Sequence, residues 1–271
     1  MNRFFILSNP VIAIRGRYYV NVLLRRLGVR RVAQVTSALI EMAGYENATI
    51  YSKYRADFYR YMNGGNIKNE NLVKAVDNLL PGTARIVHHP IWSLLSTRGA
   101  EKEVLIELAQ KLQPNLHQFL LKYDEDTYAI DLRSLSKYRG WFRSGSHFLR
   151  TIDLRSLDEL AALVIAIESH EMRGEYNVSR LLRELTKSFF VELSLMAEFD
   201  EIIEKLYEEV HRRISDVICG EKCDGEMFLM FAQILALEDS EWMLKIIRKV
   251  SAGRASHDGK YSEILRCNRA A

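Results

Sequence analysis

Cysteine is scarce: Cys219, Cys223 and Cys267 are the only three in 271 residues. An odd, sparse set excludes a disulfide framework and suits a reducing cytoplasm. Cys219 and Cys223 flank three residues, a spacing that zinc sites use, but neither His211 nor Cys267 completes a ligand set at a telling separation. Free thiols and no metal are therefore expected. Proline is rarer than its average share, at four positions (Pro10, Pro81, Pro90 and Pro114), so long helices meet few interruptions. No apolar run approaches the roughly 20 residues that span a bilayer. Asn9-Pro10 breaks the opening apolar patch and no small-residue cleavage site comes after it, so neither a membrane span nor a signal peptide is expected. A Gly-rich phosphate loop, a dinucleotide fingerprint and a Gly-x-Ser-x-Gly elbow are all missing, which leaves no cofactor to expect.

Acid is missing from the start of the chain. Residues 1 to 40 hold seven arginines and no Asp or Glu. Residues 1 to 95 carry 13 Lys and Arg against 5 Asp and Glu, a net +8, so the remainder carries −5 of the overall +3. Such a split suggests a polyanion for the N-terminal third; a solvated basic face is the plainer alternative.

Helical periodicity dominates the rest. Residues 17 to 44 place Val20, Leu23, Leu24, Leu27, Val32, Val35, Leu39 and Ile40 at helical spacing, divided by Gly28 and stopped by Gly44. A short helix is expected over 46 to 51, then one from Lys53 to Met62 with Ser52 as its cap and Asn63-Gly64 as its stop. Residues 70 to 80 form another amphipathic stretch. "TARIVHHPIWSLLS" reads as a connector whose Ile91, Trp92, Leu94 and Leu95 dock it onto the next part of the chain. Residues 100 to 112 are a clean amphipathic helix closed by Pro114. The stretch 123 to 155 is the least regular, and no segment alternates long enough to demand a sheet. "IDLRSL" occurs at 130 to 135 and again at 152 to 157, where Ser156-Leu157-Asp158-Glu159 is a capping-box pattern. Helices are expected over 157 to 173, 178 to 198, 200 to 218, 226 to 237 and 239 to 250. The class is mainly α: an N-terminal helix-turn-helix-like module at 1–98, a multi-helix domain at 99–250 for oligomerisation or partner contact, and a polar tail at 251–271.

"ENATIYSKYRADFYRYMNGG", residues 46 to 65, resembles the helix-turn-helix of the Cro and phage-repressor family. Ala48 matches the inward Ala of the first helix, Phe58 the buried aliphatic residue, Tyr61 the terminal aromatic and Asn63-Gly64 the Asn-Gly. The helix at 70 to 80 resembles the apolar helix that packs behind the reader. The similarity spans about residues 30 to 82. Four features depart from the pattern: Asn47 in place of an inward Leu, Ser52 in place of the turn Gly, Met62 in place of an acid, and no Pro after the Asn-Gly. The resemblance implies double-stranded DNA as partner and a helix, 53 to 62, inserted in the major groove.

The residues point the same way by themselves. With Phe58 and Met62 facing the core, Lys53, Tyr54, Arg55 and Arg60 are left to reach bases or phosphates. Arg pairs bidentately with guanine, Lys and Tyr hold phosphate oxygens, and Asp57 can accept from cytosine. Tyr51, Phe58, Tyr59 and Tyr61 read equally well as core aromatics. Arg15, Arg17, Arg25, Arg26, Arg30 and Arg31 are candidates for phosphate contact; the block from Arg25 to Arg31 is either a phosphate clamp or a solvated helix end.

Other chemistry is weaker. His88 and His89 are adjacent, so one metal seldom meets both, and a packed or capping role is expected. His170-Glu171 lacks a second histidine four residues on, where Gly174 stands. Glu168 and Glu171 read as a solvated helix edge. "WFRSGSHF", 141 to 148, is a turn, an anion-contacting or partner-contacting loop, or a Ser–His nucleophile that sequence alone cannot complete. The favoured expectation is a non-enzymatic DNA-binding regulator or accessory factor, dimeric if it binds paired half-sites. The rivals are a helical protein-protein interaction module with a degenerate helix-turn-helix, and an effector enzyme acting on nucleic acid.

Overall fold

A computed structural model describes residues 10–96, 100–124, 129–133 and 156–214. The fold is mainly α-helical, as expected, with one two-stranded sheet among the described residues.

Helix α1 (Pro10–Arg26) starts at the proline that breaks the opening apolar patch, seven residues before the predicted boundary at 17. Proline lacks an N–H that the first turn leaves unpaired anyway, so it opens a helix without penalty. Gly28, at φ +63, ends α1: its N–H donates to the Arg25 carbonyl and the Val29 N–H to that of Leu24. These paired bonds satisfy two carbonyls that the last turn leaves free. Helix α2 (Val32–Ala43) comes next, then a 3-10 turn (Tyr45–Asn47), α3 (Ala48–Ser52) and α4 (Arg55–Met62).

Ser52 does not cap α4. It is the last residue of α3 and its hydroxyl donates back to the Thr49 carbonyl, 3.4 Å away. An N-cap needs extended torsions. The two connecting residues, Lys53 and Tyr54, instead keep right-handed helical ones. Gly64, at φ +83, closes α4 with the same paired bonds as Gly28, from Gly64 to Tyr61 and from Gly65 to Arg60.

Asn69 caps α5 (Glu70–Leu79) by accepting from the Leu72 N–H at 3.1 Å. The expected connector is two short helices, α6 (Thr83–Val87) and α7 (Pro90–Ser96). Asp77 supplies the start of α6 by accepting from the Ala84 N–H at 2.8 Å, and Pro90 opens α7. Pro114 likewise opens α9 (Pro114–Leu120) after α8 (Lys102–Gln110).

Strands β1 (Leu121–Asp124) and β2 (Ala129–Leu132) pair antiparallel, with Leu121 opposite Leu132 and Tyr123 opposite Ile130. The sequence did not announce this hairpin, because four residues are too few for a period-two signal to stand out. The first "IDLRSL" thus contributes to β2 while the second runs into a helix cap. Ser156 accepts from the Asp158 N–H at 3.1 Å and opens α10 (Leu157–Met172), as its pattern predicts. Helices α11 (Tyr176–Ser194) and α12 (Ile203–Ile214) complete the described chain.

Two apolar cores form, and α1 serves both. Tyr19, Val20 and Leu23 join Val35, Leu39, Tyr51, Tyr54, Phe58, Tyr61, Leu72 and Val76 in the first. Val11, Ile14, Tyr18 and Val22 join Ile91, Trp92, Leu105, the run from Leu160 to Ile167 of α10, and Phe190, Phe199 and Leu206 in the second. Ile91, Trp92 and Leu94 dock onto the later helices as anticipated. Polar ties cross between the cores. Arg85 grips buried Asp158 through both carboxylate oxygens at 2.8 and 3.0 Å, Asn21 donates to the Glu198 carbonyl, and Arg25 pairs with the Glu198 carboxylate.

Candidate nucleic-acid interface

Helix α4 buries one stripe and exposes the other. Tyr54, Phe58 and Tyr61, at positions i, i+4 and i+7, face the first core. Tyr61 packs edge-on to Tyr19 of α1, ring centroids 6.4 Å apart. The opposite face presents Lys53, Arg55, Ala56, Tyr59 and Arg60 to solvent. The aromatic stretch therefore holds the helix from behind and leaves a cationic front carrying one half-exposed ring, Tyr59.

Tyr54 is a correction. Expected to reach bases or phosphate, it is only 6 % exposed. It occupies the last connecting residue before α4, where the two-residue link turns its ring inward. Lys53 lies over that ring, its ammonium 4.8 Å from the centroid, and Arg60 lies over Tyr61 at 5.2 Å. Cation–π contact of this kind orients a charge without neutralising it. Arg60 also pairs with Asp57 at 2.8 Å, and Asp57 accepts from the Asn69 amide at 3.1 Å. Asp57 is thus engaged within the protein rather than open for a cytosine. Arg55, at the first helical position, is exposed and has no hydrogen-bond or ion-pair partner among the described residues.

The six candidate arginines do not act as one group. Arg15 is half-buried and donates to the Asn66 side chain at 2.6 Å; burial pulls its guanidinium below the usual value, against the opposing charge of Glu70. Arg17 donates to the Met62 carbonyl at 3.1 Å and so ties down the C-terminal end of α4. Both serve the placement of α4, not a free phosphate contact. At the other end of α1, Arg25 pairs with Glu198 and Arg26 donates to the Pro81 carbonyl at 2.8 Å. Their side chains stay exposed, while Arg30 and Arg31 stand exposed before α2. Eleven residues of helix separate Arg15 from Arg26, a rise of about 16 Å, so the arginines fall into two patches.

Sequence reasoning overlooked Tyr45, which is 80 % exposed on the turn after α2, and gave Tyr59 no outward role although it is 41 % exposed. The Gly44-Tyr45 step was the available signal: an aromatic residue just past a helix stop has no helical face to hide on.

The remaining candidates resolve into internal contacts. His89 is buried, with its Nδ1 accepting from the Ile91 N–H at 3.2 Å, which is the packed and capping role expected; His88 lies 3.3 Å from exposed Glu70. Glu168 is not a solvated edge. It is paired with Arg213, and burial pushes its carboxyl up despite that partner. Glu171 bonds Ser179 at 2.7 Å and Arg183. No helix among the described residues is long and apolar enough to cross a membrane. The three cysteines, the 141–148 loop and the helices expected at 226–237 and 239–250 lie outside the described residues. Comparison with protein-family models, with curated proteins and with solved structures finds no match.

Proposed function

We propose that the chain binds double-stranded DNA through the outward face of α4, as a regulator or accessory factor rather than an enzyme. The observation that carries this is the two-sidedness of α4: its aromatics are buried behind and Lys53, Arg55 and Arg60 stand in front. The roles divide by what each side chain already touches. Arg55, unengaged and at the helix start, reads a base edge, guanine O6 and N7 being its best match. Lys53 and Arg60, steadied over rings, hold phosphates. Arg30 and Arg31 extend the electrostatic attraction, and Arg15 and Arg17 brace the helix. Paired half-sites favour a homodimer. The test is fluorescence-anisotropy titration of labelled duplex with wild type, Arg55→Ala and Lys53→Ala/Arg55→Ala. Affinity should fall at least about tenfold in the double variant with its melting temperature unchanged; equal affinity would overturn the reading.

A second reading is a helical protein-binding module, and Met42, Tyr45 and Ile50 favour it, since they place exposed apolar surface around α3. Replacing Tyr45 and Ile50 with Ser would then abolish partner binding, whereas on the first reading DNA affinity tracks Arg55 instead.

A further inference from the structure

A cleft opens where β2, the first residue of α8 and the C-terminal end of α10 meet. Lys102, Asp131, Leu132, Ser169, Met172 and Arg173 line it. Lys102 Nζ lies 2.8 Å from one oxygen of Asp131 and Lys122 Nζ 3.5 Å from the other. Arg173 donates to the carbonyls of Leu132 and Arg133, which fixes its guanidinium at the rim. Two lysines therefore converge on a single carboxylate, and Arg173 stands in the same cleft on its backbone partners. Burial works to raise the Asp131 carboxyl, but hydrogen bonds from Lys102 and the Leu132 N–H, with the charges of both lysines, outweigh it and hold it below the ordinary range.

Ser169, on the α10 wall, is 2 % exposed and its hydroxyl has no hydrogen-bond partner among the described residues. A buried hydroxyl left unpaired costs free energy unless a further group completes it. Leu132 and Met172 add apolar surface beside these polar groups.

We propose that this cleft binds a small organic anion, a carboxylate or phosphate monoester with an apolar body. Its oxygens replace the Asp131 carboxylate on Lys102 and accept from Ser169 Oγ, while its body rests on Leu132 and Met172. Asp131 is then an internal competitor: it holds the lysines in place while the cleft is empty and opposes the ligand's charge when it arrives. This fixes the sign of one substitution. Removing the Asp131 charge tightens binding, although a merely structural ion pair would make the same change harmful.

The experiment is isothermal titration of the full chain with benzoate and with phenyl phosphate, at ionic strength held constant with chloride. Saturable binding of either probe is expected. Asp131→Asn should tighten it about fivefold, Lys102→Ala weaken it about tenfold, and Ser169→Ala weaken it about fivefold with no loss of melting temperature. Lys111→Ala, which alters a surface lysine paired with Glu107, should change nothing. Absence of saturable heat for both probes would overturn the proposal. So would weaker binding in Asp131→Asn, or equal losses in Lys111→Ala and Lys102→Ala, which would mark diffuse surface attraction.

Discussion

Tyr54 and Tyr59 are five residues apart and end on opposite sides of the same helical stretch, one buried and one half-exposed. Tyr54 was expected outward beside Lys53 and Arg55, with Phe58 inward, because the chemistry of tyrosine conceals which way it faces. Its ring suits a core and its hydroxyl suits a surface. Phe58, with no hydroxyl, was readable as core from the sequence. Arg15 and Arg17 were unreadable for a related reason: a guanidinium donates equally well to a phosphate and to a carbonyl, and only the folded neighbours decide. At this scale His170 makes a test. It is fully buried, its Nδ1 bonds Glu175, and its Nε2 has no hydrogen-bond partner among the described residues. Burial lowers its proton affinity, with Glu175 opposing and Arg173 assisting. The unfolded chain therefore takes up this proton first as pH falls through about 6.5. Stability from this residue is complete above that value and declines on acidification toward the folded-state value. Urea midpoints measured between about pH 8 and 5 should slope downward in wild type, and His170→Asn should flatten that slope. An identical slope in the variant would show that His170 does not titrate in this way.

Among the elements, the approach of α1 to α4 determines where the proposed reading face stands. Gly16 makes the contact: a Cβ there would sit 2.8 Å from the Tyr61 carbonyl oxygen and 3.0 Å from that of Gly65. Both are backbone atoms closing the end of α4, so neither moves aside cheaply. Gly16→Ala should cost about 1–3 kcal/mol, read from chemical denaturation. An unchanged midpoint would mean that the helices have room to part. The sequence marked Gly28 and Gly64 as stops, because a left-handed residue after a periodic run is a local signal. Gly16 carried no such mark, since its reason lies 45 residues away in Tyr61. Likewise Pro114 was read as the close of a helix and Pro10 as a break in an apolar patch, although each opens a helix, as Pro90 does inside the expected connector. Proline tells where a helix boundary lies and leaves its direction to the flanking pattern.

Across the whole molecule, the mainly α class was legible because apolar residues recur at helical spacing along most of the described chain. How the two cores join was not, since α1 looks like an ordinary amphipathic helix until both of its faces are seen covered. Sharing α1 couples the cores. Calorimetry should show one cooperative transition, with Tyr18→Ala lowering the whole of it, because Tyr18 packs on Trp92 and Phe199 from the α1 side. Two separated transitions would show that the cores unfold independently. The charge asymmetry survives folding in part: Arg30, Arg31, Lys53 and Arg55 remain exposed, while Arg15 and Arg17 turn to internal partners. The most direct test of the α4 account is the salt dependence of duplex affinity. A plot of log affinity against log salt should be steep for wild type and flatten by about 1 in Lys53→Ala/Arg55→Ala, the unit lost with the Lys53 phosphate contact, since the Arg55 base contact lowers affinity without entering the slope. Affinity that ignores salt, or a slope identical in the double variant, would contradict it.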